Sequence, residues 1–313
     1  MVEYKKTVHK ISEAGGGLEI AINEFVYCSG KEGKKLYIQS GLHGGETSQW
    51  VLYKLHDFLM NNLQCGEVHI VPYANPLAWM QRTYYSTNGK FSFVDGKDFN
   101  RCFVDNYNGD INSLVCAKIM ELATKNDFVL DLHTSKMSDI FAIFTQKKYV
   151  PYIKTLGLKY NQYSDDASIP SLFGTFNAAL DRAGVDNLTI ECGGHDEYCE
   201  NKIRQVFDGI YNLLSGFAMI AEKNAEEKTQ FVFEKRNKVY SNCSGLLKLK
   251  VDLGQKVKKG EVIADIYPCN DLSESFEIIS QTDGVLLVAN PSHIVWQGDI
   301  VAEVVPEDSL RAI

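Results

Sequence analysis

Hydrophobic and polar positions follow two regimes along this chain. Through roughly the first 220 residues, short apolar runs bounded by turn residues alternate with stretches of helical spacing. Residues 36–40 read as a buried strand running into the turn Gly41-Leu42-His43-Gly44-Gly45. Val51, Leu55, Phe58 and Leu59 then recur at helical spacing. Residues 67–72 predict the next strand, which ends before Asn75-Pro76. Val115, Ile119 and Leu122 mark a helix, residues 128–132 a strand with His133 at its end, and residues 188–191 a further strand. The clearest helix carries Ile203, Val206, Ile210 and Leu213. Strands alternating with helices predict an α/β fold with a mostly parallel or mixed sheet. Ligands of such sheets gather at the carboxyl ends of strands, where His43, His133 and Glu191 all fall.

The second regime begins after Ile220. Residues 221–236 are charge-rich and read as a linker. From Ser244 onward, short strands punctuated by Gly245, Gly254, Gly260, Gly284 and Gly298 predict a small all-β domain. The expected division is residues 1–222 as a catalytic domain, 223–240 as a linker and 241–313 as a β-rich C-terminal domain.

Composition narrows the function classes. The chain has 313 residues, 45% hydrophobic and 23% charged, an ordinary globular balance. A net charge of -8 argues against nucleic acid or an anionic membrane as a partner. No apolar run approaches the ~20 residues that span a bilayer. Residues 1–17 lack the apolar run of a signal peptide, so the cytoplasm is the expected location. Eight cysteines without a C-x-x-C pair predict mostly buried free thiols rather than a zinc finger or disulfide framework.

Candidate chemistry sits at the strand ends. His43-Gly44-Gly45-Glu46 is an H-x-x-E pair. A catalytic zinc takes imidazole nitrogen and carboxylate oxygen from three residues and keeps a position open. With 7 His and 40 acidic residues in the chain, roughly one such pair arises by chance, so spacing alone does not separate a ligand pair from a surface turn. His133 ends an apolar strand and needs a polar partner there, a metal or a hydrogen bond. Asp131, two residues earlier on the strand, is placed to orient its ring. Glu191 ends another apolar strand, where a general base for an activated water belongs. Arg101, in Asp98-Phe99-Asn100-Arg101, has the planar fork that clamps a carboxylate. Arg82 is a second cation, suited to polarising a carbonyl. Each motif taken singly also fits an ordinary surface or core residue.

Their order is more specific than any one of them. Strand-H-x-x-E, N-P, R, D-x-N-R, strand-D-L-H and strand-E resembles the succinylglutamate desuccinylase/aspartoacylase family, over most of the chain. The resemblance implies a zinc carboxypeptidase-like mixed sheet flanked by helices, followed by a small all-β lipoyl-like (barrel-sandwich) domain. It implies one zinc per chain on His43, Glu46 and His133, with Glu191 as the catalytic base. It carries Arg82 over as the arginine facing the scissile carbonyl, and Asn100 with Arg101 as the pair that binds a substrate carboxylate. The implied activity is amide hydrolysis, deacylating a small carboxylate-bearing N-acyl amino acid. A carboxypeptidase acting on short peptides and a non-catalytic binding protein stay open as alternatives. Relatives commonly continue Phe-Pro-Gly after the Asn-Arg pair, whereas Cys102-Phe103-Val104-Asp105 follows here, which leaves the substrate open. In the tail, Ser273 aligns with the lysine that a lipoyl or biotinyl carrier modifies, so neither modification is expected.

Overall fold

A computed structural model describes the chain apart from residues 85, 106, 108, 166–168, 223–227 and 271. A ten-stranded mixed sheet forms its backbone. Four strands at its centre, Glu67–Val71, Lys35–Ser40, Phe128–Ser135 and Asp186–Gly194, lie parallel in that order. Their residues are buried on both faces, as the near-continuous apolar runs require.

Alternation along these strands divides the core. Leu36, Ile38, Leu130 and Leu132 face one side, where they meet the helices Gln49–Asn62, Val150–Leu156 and Glu200–Gly216. Tyr37 and Val129 face the other, under Ile111–Ala123 and Phe176–Arg182. The expected elements are present, with two shifts: the strands begun at Phe128 and Asp186 run on to Ser135 and Gly194, so His133 and Glu191 lie inside them.

The hairpin of Glu3–Glu13 and Glu19–Cys28 extends one edge of the sheet, where no strand is expected from the sequence. Its outer strand is mostly exposed and carries Lys5, Lys6 and Lys10, charges that discourage pairing with another chain. Part of the charge-rich stretch 223–240 is also extended. Phe231–Phe233 joins the large sheet beside Tyr160–Tyr163, and Asn237–Tyr240 pairs with Ile300–Pro306. Residues 223–227 of that expected linker lie outside the described residues.

The C-terminal part holds two further sheets of five and four strands that enclose their own core of Leu247, Ile263, Ile266, Leu286 and Val301. Met137–Ser138, from the first part of the chain, pairs with Gly284–Ala289 in this unit. A separate cluster of Phe141, Tyr160, Phe233, Leu287, Val288 and Val305 packs the unit against the large sheet. All eight cysteines are free, but only Cys102, Cys116 and Cys192 are buried, fewer than the sequence suggests.

One polar link fastens the added hairpin. Glu24 is 7% exposed, and its carboxylate accepts hydrogen bonds from His9 Nε2 and His69 Nδ1, both at 2.8 Å. Burial pushes the Glu24 carboxyl up, but the hydrogen bonds and charges of the two histidines hold it below the ordinary 4.5. A depressed carboxylate stabilises the fold above its unfolded pKa, and that contribution is lost as pH falls through the lower folded value. Glu24→Gln should therefore cost about 1.5–3 kcal/mol near neutral pH. It should also flatten the loss of stability below about pH 4.5. Urea unfolding at several pH values checks this; an unchanged pH profile would remove Glu24 from the account.

Candidate metal centre and active site

The backbone of the H-x-x-E segment is fixed before any chemistry is considered. Ala74 N and Asn75 N donate to Ser40 O and Gly41 O, and Trp79 Nε1 donates to Gly41 O at 3.0 Å. Asn75 caps the short helix Pro76–Met80 through Leu77 N, with Pro76 supplying no N–H at the first turn. Ser48 Oγ donates to Leu132 O at 3.0 Å, tying the loop to the strand that carries His133.

The two glycines between His43 and Glu46 have steric reasons. A Cβ on Gly44 would lie 2.4 Å from Ala78 O. Gly45 has φ +80, and a Cβ there would lie 2.6 Å from His195 Nε2. A side chain at either position would unseat the turn that aims His43 and Glu46 at one point.

His43, Glu46 and His133 are only 3%, 4% and 4% exposed. Each offers one ligand atom, and these atoms lie within 4.8 Å of one another. His43 Nδ1 donates to Glu46 Oε1 at 2.8 Å, and His133 Nδ1 lies 2.9 Å from Glu46 Oε2. The far nitrogens are also held: His43 Nε2 meets Asp98 Oδ1 at 3.0 Å, and His133 Nε2 meets Asp131 Oδ2 at 2.7 Å. Gln39 Nε2 donates to the other oxygen of Asp131 at 2.9 Å.

Electrostatics couple the cluster. Burial works against the charged form of every member, yet the attraction between neighbours prevails. It holds the Glu46 carboxyl far below its usual range through His133 and His43, and it raises His133 through Asp131 and Glu46. His43 is raised through Glu46 and Asp98. Glu46 Oε2 is buried 2.9 Å from His133 Nδ1, but the two are not aligned as a hydrogen bond. Two imidazoles, one carboxylate and an orphaned buried oxygen fit a divalent ion, which binds the same lone pairs in place of protons.

Glu191 stands beside this cluster, paired in register with His133 on the neighbouring parallel strand. Its Oε2 is buried without a hydrogen-bond partner. Burial pushes its carboxyl up, Glu46 adds to the rise, and His133, Arg236 and Lys90 oppose it.

The cluster and Glu191 open on a cavity of about 610 Å³. Asn100 and Arg101 line it. Asn100 Oδ1 accepts from Phe176 N at 2.8 Å, which fixes the loop, and Arg101 has no carboxylate partner among the described residues. Arg82 is elsewhere: it is exposed on the two-stranded hairpin with Ser86–Thr87 and does not line the cavity. Sequence reasoning missed Asp98 as the partner of His43, and it missed Lys90, Lys136, Gln162 and Arg236 in the cavity wall. Asp98 had a signal in its place two residues before Asn100; the others had none. A second cavity of about 570 Å³ is lined by Tyr4, Tyr27, Tyr53 and His56, and it holds none of the metal-binding group.

Comparison with known proteins agrees with this geometry. Residues 32–217 match the succinylglutamate desuccinylase/aspartoacylase catalytic domain. The chain is 29% identical over 302 residues to the N-alpha-acetyl-L-2,4-diaminobutyric acid deacetylase of Halomonas elongata, covering 88% of this chain and 83% of that one. A succinylglutamate desuccinylase/aspartoacylase family protein of Shewanella amazonensis has the same fold, with a TM-score of 0.86 at 18% identity over 99% of this chain and 100% of that chain. The product-bound ectoine utilization protein EutE (DoeB) of Ruegeria pomeroyi superposes with a TM-score of 0.80 at 19% identity, over 97% and 95% of the two chains.

The carboxylates behind the imidazoles set ring orientation and basicity. If the cluster holds a divalent ion, Asp98→Ala and Asp131→Ala should each weaken its binding by about 10–100-fold while the fold is retained. Competition against a chelator, with circular dichroism as the control, measures this. Affinity equal to that of the unaltered chain in both variants would mean that these contacts do not serve a metal.

Proposed function

Because the chain belongs to the succinylglutamate desuccinylase/aspartoacylase family, we propose that it is a zinc-dependent deacylase of a small N-acyl amino acid that carries a carboxylate. The observation that carries this reading is the convergence of His43, Glu46 and His133 on one point, with the unpartnered Glu191 carboxylate beside it. The deacetylase activity in the name of the Halomonas elongata relative supports an N-acyl amino acid over a peptide. A protein that only bound its ligand would have no use for a buried, unpartnered carboxylate at that position. On this reading residues 1–222 are the catalytic domain, 223–240 the connection and 241–313 a lipoyl-like module. The eight free thiols suit the cytoplasm.

His43, Glu46 and His133 hold one zinc, which when bound supplies the Lewis acidity that makes water a nucleophile near neutral pH. Arg101 takes the substrate carboxylate with its guanidinium fork, and Asn100 holds the loop that presents it. This fixes the amide over the cluster and converts the attack into a step between neighbours. Glu191 accepts a proton from the attacking water. Its raised affinity for that proton then lets it deliver the proton to the leaving nitrogen as the C–N bond breaks. The products are the free amine and the carboxylic acid of the acyl group.

Arg82 is proposed for the charge that develops on the carbonyl oxygen, acting from its hairpin next to the cavity-lining Asn88. Besides Arg101 the wall already holds Lys90, Lys136 and Arg236, of which Lys90 and Arg236 act on Glu191. Arg82→Ala should lower kcat/KM by about 100-fold if the arginine reaches the oxygen. A rate within a few-fold of the unaltered enzyme would transfer that role to Lys90 or Arg236.

Glu191→Gln keeps the shape of the side chain and removes the base. It should lower kcat by about 100- to 10,000-fold while the zinc content is unchanged. Full turnover in that variant would refute the mechanism.

A further inference from the structure

The charges in the cavity wall are unequally committed. Four cations line it: Lys90, Arg101, Lys136 and Arg236. Lys90 lies 3.5 Å from Asp98 Oδ2. Lys136 Nζ donates to Glu303 Oε1 at 3.1 Å, and Arg236 Nη1 lies 3.1 Å from Glu303 Oε2. Only Arg101 has no carboxylate partner among the described residues. One carboxylate, on the Ile300–Pro306 strand of the C-terminal unit, thus occupies both cations on one side of the cavity.

Glu303 is 7% exposed, so its charge is not dispersed by water. A substrate carboxylate brought to Lys136 or Arg236 would meet the Glu303 charge through the same cations, and like charges held that close cost affinity. Gln162 offers an uncommitted polar atom of the opposite kind, beside the Thr134 hydroxyl, which is buried in the same lining without a partner. Gln162 Oε1 is a buried acceptor with no partner, and Gln162 shares the cavity with Lys136 and Arg236. A buried acceptor is satisfied by a donor: an amide, an amine or a hydroxyl. A second carboxylate would leave it unmet.

We infer that Glu303 is a specificity-determining residue, and that it restricts the enzyme to substrates with a single carboxylate whose far end is a hydrogen-bond donor. The inference rests on the deacylase reading and names its substrate class. The carboxylate goes to Arg101. The far end, whether amino-acid side chain or acyl group, faces Gln162 and the Lys136–Glu303–Arg236 bridge. The C-terminal unit contributes to selection through Glu303, which also ties it to the catalytic part of the chain, while its Pro291 lines the cavity.

The test uses near-isosteric pairs on the zinc-loaded, full-length protein. N-acetylglutamine is compared with N-acetylglutamate, and N-succinamoyl with N-succinyl derivatives of one amino acid. The expected result is a kcat/KM at least about tenfold higher for the compound without the second carboxylate in each pair. Glu303→Gln frees both cations and should shrink that ratio by raising the rate on the dicarboxylates. Arg236→Gln should leave the preference in place, because it removes a cation and not Glu303. Faster hydrolysis of N-acetylglutamate or of N-succinyl compounds by the unaltered enzyme overturns the inference and leaves the deacylase reading standing. Hydrolysis of neither member of any pair, with zinc bound, is the separate failure of the deacylase reading itself. The comparison on the unaltered enzyme decides the matter even if Glu303→Gln does not fold.

Discussion

A chain of alternating carboxylates and imidazoles, Asp98–His43–Glu46–His133–Asp131, is the interaction on which the site depends. Its members come from three separate parts of the sequence. Every link is buried except the part-buried His43–Asp98 contact, so each charge is tolerable chiefly because its neighbour is opposite. Removing one group leaves the next uncompensated in an environment that does not solvate it. The same arrangement brings one atom of each of His43, Glu46 and His133 within 4.8 Å of one another and leaves Glu46 Oε2 out of line for a hydrogen bond with His133, which suits a metal centre better than a purely structural charge network.

The fold exists around this chain in a direct sense. Parallel pairing of Lys35–Ser40, Phe128–Ser135 and Asp186–Gly194 brings three strand ends together, and each end delivers one element of the chemistry. The Gly44-Gly45 turn then folds Glu46 back toward His43, at positions where a side chain would strike Ala78 or His195. The C-terminal unit closes one side. It shares a strand pairing through Met137–Ser138 and a cluster of apolar residues with the large sheet, and it places Glu303 between two cations of the cavity wall.

Much of this was legible in the sequence because it is local. Short, near-continuous apolar runs predict the central strands, and H-x-x-E and D-x-H are short patterns with a stereochemical meaning. The expectation that Asp131 faces His133 follows from strand alternation, and the two are 2.7 Å apart. What was not legible is long-range. The outer hairpin strand Glu3–Glu13 shows little amphipathic signal because it is mostly exposed. Asp98 acquires its role only from a contact 55 residues away in sequence, with His43. Arg236 sits in a charge-rich stretch that reads as a linker, and only the tertiary structure brings it to the cavity beside Glu303. Arg82 is the reverse case. The family resemblance gives it a place facing the scissile carbonyl, but its hairpin lies outside the cavity lining.

The central claim is that these buried groups exist to hold a metal. Elemental analysis of protein purified without a metal-affinity tag, beside a His43→Ala/His133→Ala double variant, tests it most directly. The account predicts about one zinc per chain in the unaltered protein and none in the variant. Unaltered protein that is free of metal and takes up no added zinc would contradict it, and the alternating cluster would then be a structural charge network.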